Sequence, residues 1–124
     1  MSEQILVIDD DFAIRDSIQE YLSLSGYTTF VASSAEEGLD YFQQNSIDVM
    51  ISDILLGGMD GLELTENVKK NHDTAVIIMT GYTADYSYEE AIRKGADDFL
   101  FKPVRLEELL LRLKRVIRVR RLNQ

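Results

Sequence analysis

Ile5-Leu6-Val7-Ile8-Asp9-Asp10-Asp11 and Val49-Met50-Ile51-Ser52-Asp53 share one pattern: a short apolar run that stops on acid. Short apolar runs with β-branched members are the mark of strands buried on both faces. If the two are neighbouring parallel strands, their carboxylates meet at one edge of the sheet. Two like charges ~4 Å apart repel by roughly 4 kcal/mol at an effective dielectric near 20. Such a cluster needs a cation, a shared proton or a chemical task.

Outward from these runs the chain alternates. Ile14, Ile18, Tyr21 and Leu22 recur at helical spacing, and Gly26 closes that helix. Tyr27–Val31 reads as a second strand. Ser34-Ala35-Glu36-Glu37 is a capping box, opening a helix that turns Leu39 and Phe42 to the core. Asp48–Ser52 is the third strand, Gly57, Gly58 and Gly61 mark a loop, and Leu62, Leu64 and Val68 set a third helix. Ala75–Thr80 is an apolar run ending in a hydroxyl. A short helix over Ser87–Lys94 stops at Gly95, Phe99–Phe101 is a brief fifth strand, and Lys102-Pro103 turns the chain. Leu106, Leu109, Leu110, Leu113, Val116 and Ile117 stripe a long last helix. This alternation implies an α/β parallel sheet covered on both faces, with right-handed crossovers.

The totals narrow the classes. A chain of 124 residues, 45% hydrophobic and 28% charged, makes one globular domain. The absence of cysteine excludes disulfides and thiolate metal sites. No apolar run reaches the ~18 residues of a membrane span. Met1-Ser2-Glu3-Gln4 lacks the basic segment and apolar stretch of a signal peptide, so the expected address is the cytoplasm, with no membrane partner. A net charge of −9 argues against nucleic acid as the partner of this domain. The charge is uneven: Arg105–Gln124 carries +5, which leaves −14 on residues 1–104. Beyond Leu113 the basic residues and Val116, Ile117 and Val119 are expected to run past the compact domain, so 114–124 reads as a helix extension toward a linker or effector.

The polar candidates all stand where strands end: Asp9, Asp10 and Asp11, then Asp53, Thr80 and Lys102. In sheets of this kind ligands bind beyond the carboxyl ends of the strands. Carboxylates and a backbone carbonyl suit Mg²⁺, a hard cation that takes oxygen ligands. One carboxylate can attack phosphorus and become an aspartyl phosphate. Positive charge and donors must then surround the transferred oxygens, and Lys102 and Thr80 are placed to supply them. Asp11 is the expected N-cap of the first helix, and His72 an ordinary surface histidine.

These residues resemble a known family. Ile5-Leu6-Val7-Ile8-Asp9-Asp10, the strand ending at Asp53, Gly58-Met59-Asp60-Gly61, the Thr80 strand and Gly95-Ala96-Asp97-Asp98-Phe99-Leu100-Phe101-Lys102-Pro103 look like the receiver domain of two-component response regulators, across essentially the whole chain. The resemblance implies a flavodoxin-like (βα)5 fold with strand order 2-1-3-4-5. It implies a signalling switch rather than an enzyme, catalysing only its own phosphorylation and dephosphorylation. Asp53 would accept phosphate from a histidine kinase or phosphotransfer protein. Asp9, Asp10, Asp53 and the Leu55 carbonyl would hold Mg²⁺ or Mn²⁺. Thr80 and Lys102 would engage the phosphoryl group, with Thr80 and Phe99 as the switch pair and a cis Lys102–Pro103 bond. The surface of the fourth helix, fifth strand and fifth helix would be the readout, its mixed charges suiting a homodimer. Where the family has a proline four residues after the acceptor, this chain has Gly57. Leu55 and Tyr82 lie where the family tunes phosphoryl lifetime, and a bulky Tyr82 is expected to slow autodephosphorylation.

A second reading is a phosphatase or phosphotransferase similar to the haloacid dehalogenases, with Asp9 as nucleophile and Asp11 as acid. The chain is short for it and has no cap. A flavin carrier of similar topology is disfavoured, because Asp10-Asp11-Phe12-Ala13 would repel a phosphate.

Overall fold

The computed structural model describes residues 2–81 and 88–124. The elements alternate strictly: β1 (Gln4–Ile8), α1 (Phe12–Leu24), β2 (Thr28–Ala32), α2 (Ala35–Gln44), β3 (Val49–Asp53), α3 (Gly61–Asn71), β4 (Ala75–Thr80), α4 (Tyr88–Arg93), β5 (Asp98–Phe101) and α5 (Leu106–Leu122). All strands are parallel, in the order β2-β1-β3-β4-β5. The central strands β1, β3 and β4 are buried almost without interruption, which is why they read as apolar runs.

Two cores flank the sheet. Alternate strand residues, among them Leu6, Met50 and Ile78, pack with α2, α3 and α4. Ile5, Val7, Ile51, Ile77 and Leu100 pack with α1 and α5 on the other face. Gly38 lets α2 lie close to the sheet: a Cβ there would stand 2.4 Å from the Ile8 Cδ1 atom.

Helix starts follow their caps. Asp11 accepts from the Ala13 and Ile14 amides and opens α1. Ser34 accepts from the Glu37 amide, but the Glu37 carboxylate bonds Ser33 Oγ instead of reaching back to the cap, so the box at α2 is half closed. Asp60 accepts from the Glu63 amide at the start of α3.

Several strand boundaries differ by one residue from the sequence reading: β1 begins at Gln4, β2 is Thr28–Ala32, β3 is Val49–Asp53, and β5 begins at Asp98. Strands are bounded by ladder pairing, which hydropathy does not resolve. Parts of the last helix differ more. Val116 and Ile117 are core residues, and Arg120 reaches Asp48 and Asp73 at 3.6 and 3.1 Å. Arg121 pairs with Glu3. Only Val119 and Leu122 are the exposed apolar side chains of its last turns. The basic residues therefore fasten this helix to the acidic bottom of the sheet. His72 is exposed, yet its ring packs on Phe42 with centroids 4.5 Å apart. No helix among the described residues is long and apolar enough to cross a membrane.

Candidate functional site

The carboxyl ends of β1 and β3 lie side by side, with Ile8 opposite Ser52 in register. This adjacency brings Asp9, Asp10 and Asp53 together: each offers a carboxylate oxygen within 4.8 Å of the others. Asp9 is fully buried and Asp53 nearly so, while Asp10 is open to solvent. Repulsion among them is answered from β5. Lys102, just past its end, places its Nζ atom 2.8 Å from both Asp9 Oδ2 and Asp53 Oδ2. The lysine is carried there by the parallel pairing of β4 and β5, and its own amide donates to the Thr80 carbonyl at 2.7 Å. The Lys102–Pro103 bond is cis.

The second oxygens are also engaged. Asp9 Oδ1 accepts from the Asp11 amide at 2.8 Å, and Asp53 Oδ1 from the Leu55 amide at 3.1 Å. Burial pushes the Asp9 carboxyl above its ordinary range, and the hydrogen bonds from Lys102 and the Asp11 amide only partly offset this. For Lys102, burial works against the charge, but its bonds to Asp53 and Asp9 prevail and hold the ammonium above its ordinary value. The cluster is an electrostatic compromise: of three carboxylates, the two buried ones share one ammonium. Its donors are hard oxygens on convergent side chains, a set that fits a small divalent cation such as Mg²⁺.

Thr80 ends β4 one residue beyond the partner of Asp53, and is 1% exposed. Among the described residues its hydroxyl makes only a long contact, 3.4 Å, to the Gly81 carbonyl. Phe99 pairs with Ile78 in the ladder and is 5% exposed. Its ring meets Tyr88 and Phe101 edge-on, at 5.8 and 5.2 Å between centroids. The Phe99 ring is thus packed inside the domain. The Leu55 side chain is half exposed beside the cluster. Tyr82 lies outside the described residues.

Sequence reasoning missed the backbone contact behind Asp53. A Cβ on Gly61 would stand 2.3 Å from the Asp53 carbonyl oxygen. Gly61 was legible only as part of a glycine-bearing loop. The Asp9-x-Asp11 pair needed for the phosphatase reading is split by function, since Asp11 is exposed and its carboxylate caps α1.

Comparison with known proteins agrees. The profile of the response regulator receiver domain matches residues 5–114. The heme response regulator HssR of Staphylococcus saprophyticus is 35% identical over 113 residues, which are 91% of this chain and 50% of that protein. This chain spans about half the length of the curated relatives it matches. A response regulator receiver domain protein from Clostridium thermocellum superposes with a TM-score of 0.91 at 34% identity, covering 98% of this chain and 99% of that one. A CheY-like receiver domain protein from Methanospirillum hungatei gives 0.93 at 31% identity, with both chains fully covered. None of these points to the phosphatase alternative. The strand order, the acid cluster at its edge and the match over nearly the whole chain lead to one assignment: this chain belongs to the response regulator receiver domains.

Proposed function

We propose that the domain is a phosphorylation switch whose acceptor is Asp53, charged by the phosphohistidine of a histidine kinase or phosphotransfer protein. The observation that carries the reading is the meeting of Asp9, Asp10 and Asp53 with one lysine bonded to two of them. A carboxylate oxygen of Asp53 attacks phosphorus, the P–N bond to the donor breaks, and the imidazole leaves with its electron pair. Asp9, Asp10, Asp53 and the Leu55 carbonyl would hold Mg²⁺ or Mn²⁺. When bound, that cation would balance the charge of the carboxylates and of the phosphoryl oxygens.

Lys102 orients Asp53 before transfer, and afterwards pairs with a phosphoryl oxygen while keeping its bond to Asp9. Thr80, whose hydroxyl has only a weak partner among the described residues, turns to donate to another oxygen. With Phe99 already inside, the response is a tightening around it rather than an inward swing. The readout is the face of α4, β5 and α5, where Tyr88, Ile92, Phe101 and Leu111 are exposed. A homodimer through this face must exchange pairs now made within the chain, since Asp98 holds Arg112 at 2.8 Å and Arg115 at 3.7 Å. The last turns of α5 would lead toward a linker or effector. Leu55 and Tyr82 would tune the phosphoryl lifetime, and a bulky Tyr82 would slow hydrolysis to minutes or hours, a lifetime that Tyr82→Glu shortens.

Titration with beryllium fluoride and Mg²⁺, followed through backbone amide shifts, tests the reading. The largest shifts are expected around Asp53, Thr80 and Lys102, and none in the Asp53→Asn protein. Equal shifts in both proteins would reject Asp53 as the acceptor.

A further inference from the structure

Asp53 is held from the front by Lys102 and Leu55, and from behind by α3. Gly61, the first residue of that helix, lies against the acceptor's own backbone. A Cβ there would be 2.3 Å from the Asp53 carbonyl oxygen and 2.7 Å from Ile54 Cα. The Gly61 amide donates to the Ile54 carbonyl at 2.8 Å. The Gly61 carbonyl is gripped in turn by Thr65, whose fully buried hydroxyl donates to it at 2.7 Å. A threonine that bonds back to the carbonyl four residues earlier bends its helix. Here that bond is made to the turn that touches the acceptor.

We propose that Gly61 and Thr65 are positioning residues for phosphoryl transfer. The first turn of α3 is a strut that sets how the Asp53 backbone, and with it the carboxylate, is presented to the phosphodonor. The inference rests on Asp53 being the acceptor. The molecule contains matched controls. Thr74 makes the same kind of buried bond, 2.7 Å to the Ile47 carbonyl, at the opposite end of the sheet. Gly38 has a similar close approach, but to the tip of the Ile8 side chain, which can turn away.

The test is the rate of phosphorylation by acetyl phosphate with Mg²⁺, measured against donor concentration, with urea unfolding of each variant alongside. Thr65→Val keeps the side-chain shape and loses the bond. It is expected to lower the limiting rate about tenfold with the half-saturating donor concentration unchanged, given that misplacement by ~1 Å can cost ~100-fold. Thr65→Ser is expected to restore the rate to within about twofold, because the hydroxyl returns. Thr74→Val should keep the wild-type rate. Gly61→Ala, which forces the Asp53 backbone to yield by at least ~1.1 Å to reach ordinary contact, should fall further, while Gly38→Ala should not. Thr65→Val at the wild-type rate, Thr74→Val slowed as much as Thr65→Val, or no rescue by Thr65→Ser would each overturn the strut. Wild-type protein that takes no label on Asp53 would overturn the acceptor assignment itself. Labelled wild type with an unaffected Thr65→Val would overturn the strut alone.

Discussion

Replacing Lys102 with methionine removes the one ammonium that the acid cluster shares. The Nζ atom is 2.8 Å from a carboxylate oxygen of each of two buried aspartates. At an effective dielectric near 20 each contact is worth ~6 kcal/mol of attraction before desolvation is counted. Much of that is offset by the cost of burying the charges, and removing one partner of a buried pair leaves a net loss of about 3–5 kcal/mol. Lys102 keeps 19% of its side-chain surface and Asp10 is open, so water can partly compensate. The expected loss is therefore near the lower end, about 3 kcal/mol in metal-free buffer. In urea, at a slope near ~1.5 kcal/mol/M, the midpoint drops by about 2 M. Mg²⁺ should then stabilise Lys102→Met more than wild type, because the carboxylates it meets have lost their other cation. Adding Asp53→Asn should recover part of the loss, since the two side chains are directly coupled. A loss under ~1 kcal/mol, or equal Mg²⁺ increments in the two proteins, would refute the shared-ammonium picture.

Other expectations follow from the same geometry. Phe99→Ala should cost about 3–5 kcal/mol in urea unfolding, as for a buried aromatic; a loss below ~1 kcal/mol would place that ring outside the core. Lys102 has a folded pKa above its ordinary 10.5, so its stabilisation is complete below that value and is lost as pH rises through the folded one. The alkaline fall in stability should be smaller in Lys102→Met. Asp9 holds its proton above the ordinary 3.8, so in metal-free buffer stability should decline as pH rises through the window just above that value, and Asp9→Asn should flatten the decline. Asp11→Ala removes the cap of α1 and should cost about 1 kcal/mol without changing Mg²⁺ affinity; a large loss of affinity would make Asp11 part of the cation site.

The fold was legible where burial is two-sided. Ile5–Ile8 and Ala75–Thr80 are strands whose both faces are covered, so hydropathy alone marks them. Asp9, Asp53, Thr80 and Lys102 could be gathered because the ends of parallel strands share one edge. What hydropathy could not supply was partnership across that edge. Nothing local to Lys102 says that it bonds Asp9 and Asp53 at once, because the contacts span 93 and 49 residues. Gly61 looked like a loop glycine, since its reason lies in how closely α3 folds back on the backbone of the strand before it. Arg120 looked like a solvated charge on a departing helix, yet it binds Asp48 and Asp73 beneath the sheet. Local pattern reveals periodicity and caps; it is blind to which side chain closes an interaction made by the fold.

If the ends of β1 and β3 converge to make residue 53 a phosphoryl acceptor, chemical labelling finds that residue. The most direct measurement treats the protein with acetyl phosphate and Mg²⁺, reduces the acyl phosphate with borohydride, and maps the reduced residue by peptide mass. Reduction is expected at Asp53 alone, and none when Mg²⁺ is chelated. Reduction at Asp9 or Asp10, or a protein that takes no label, would contradict it.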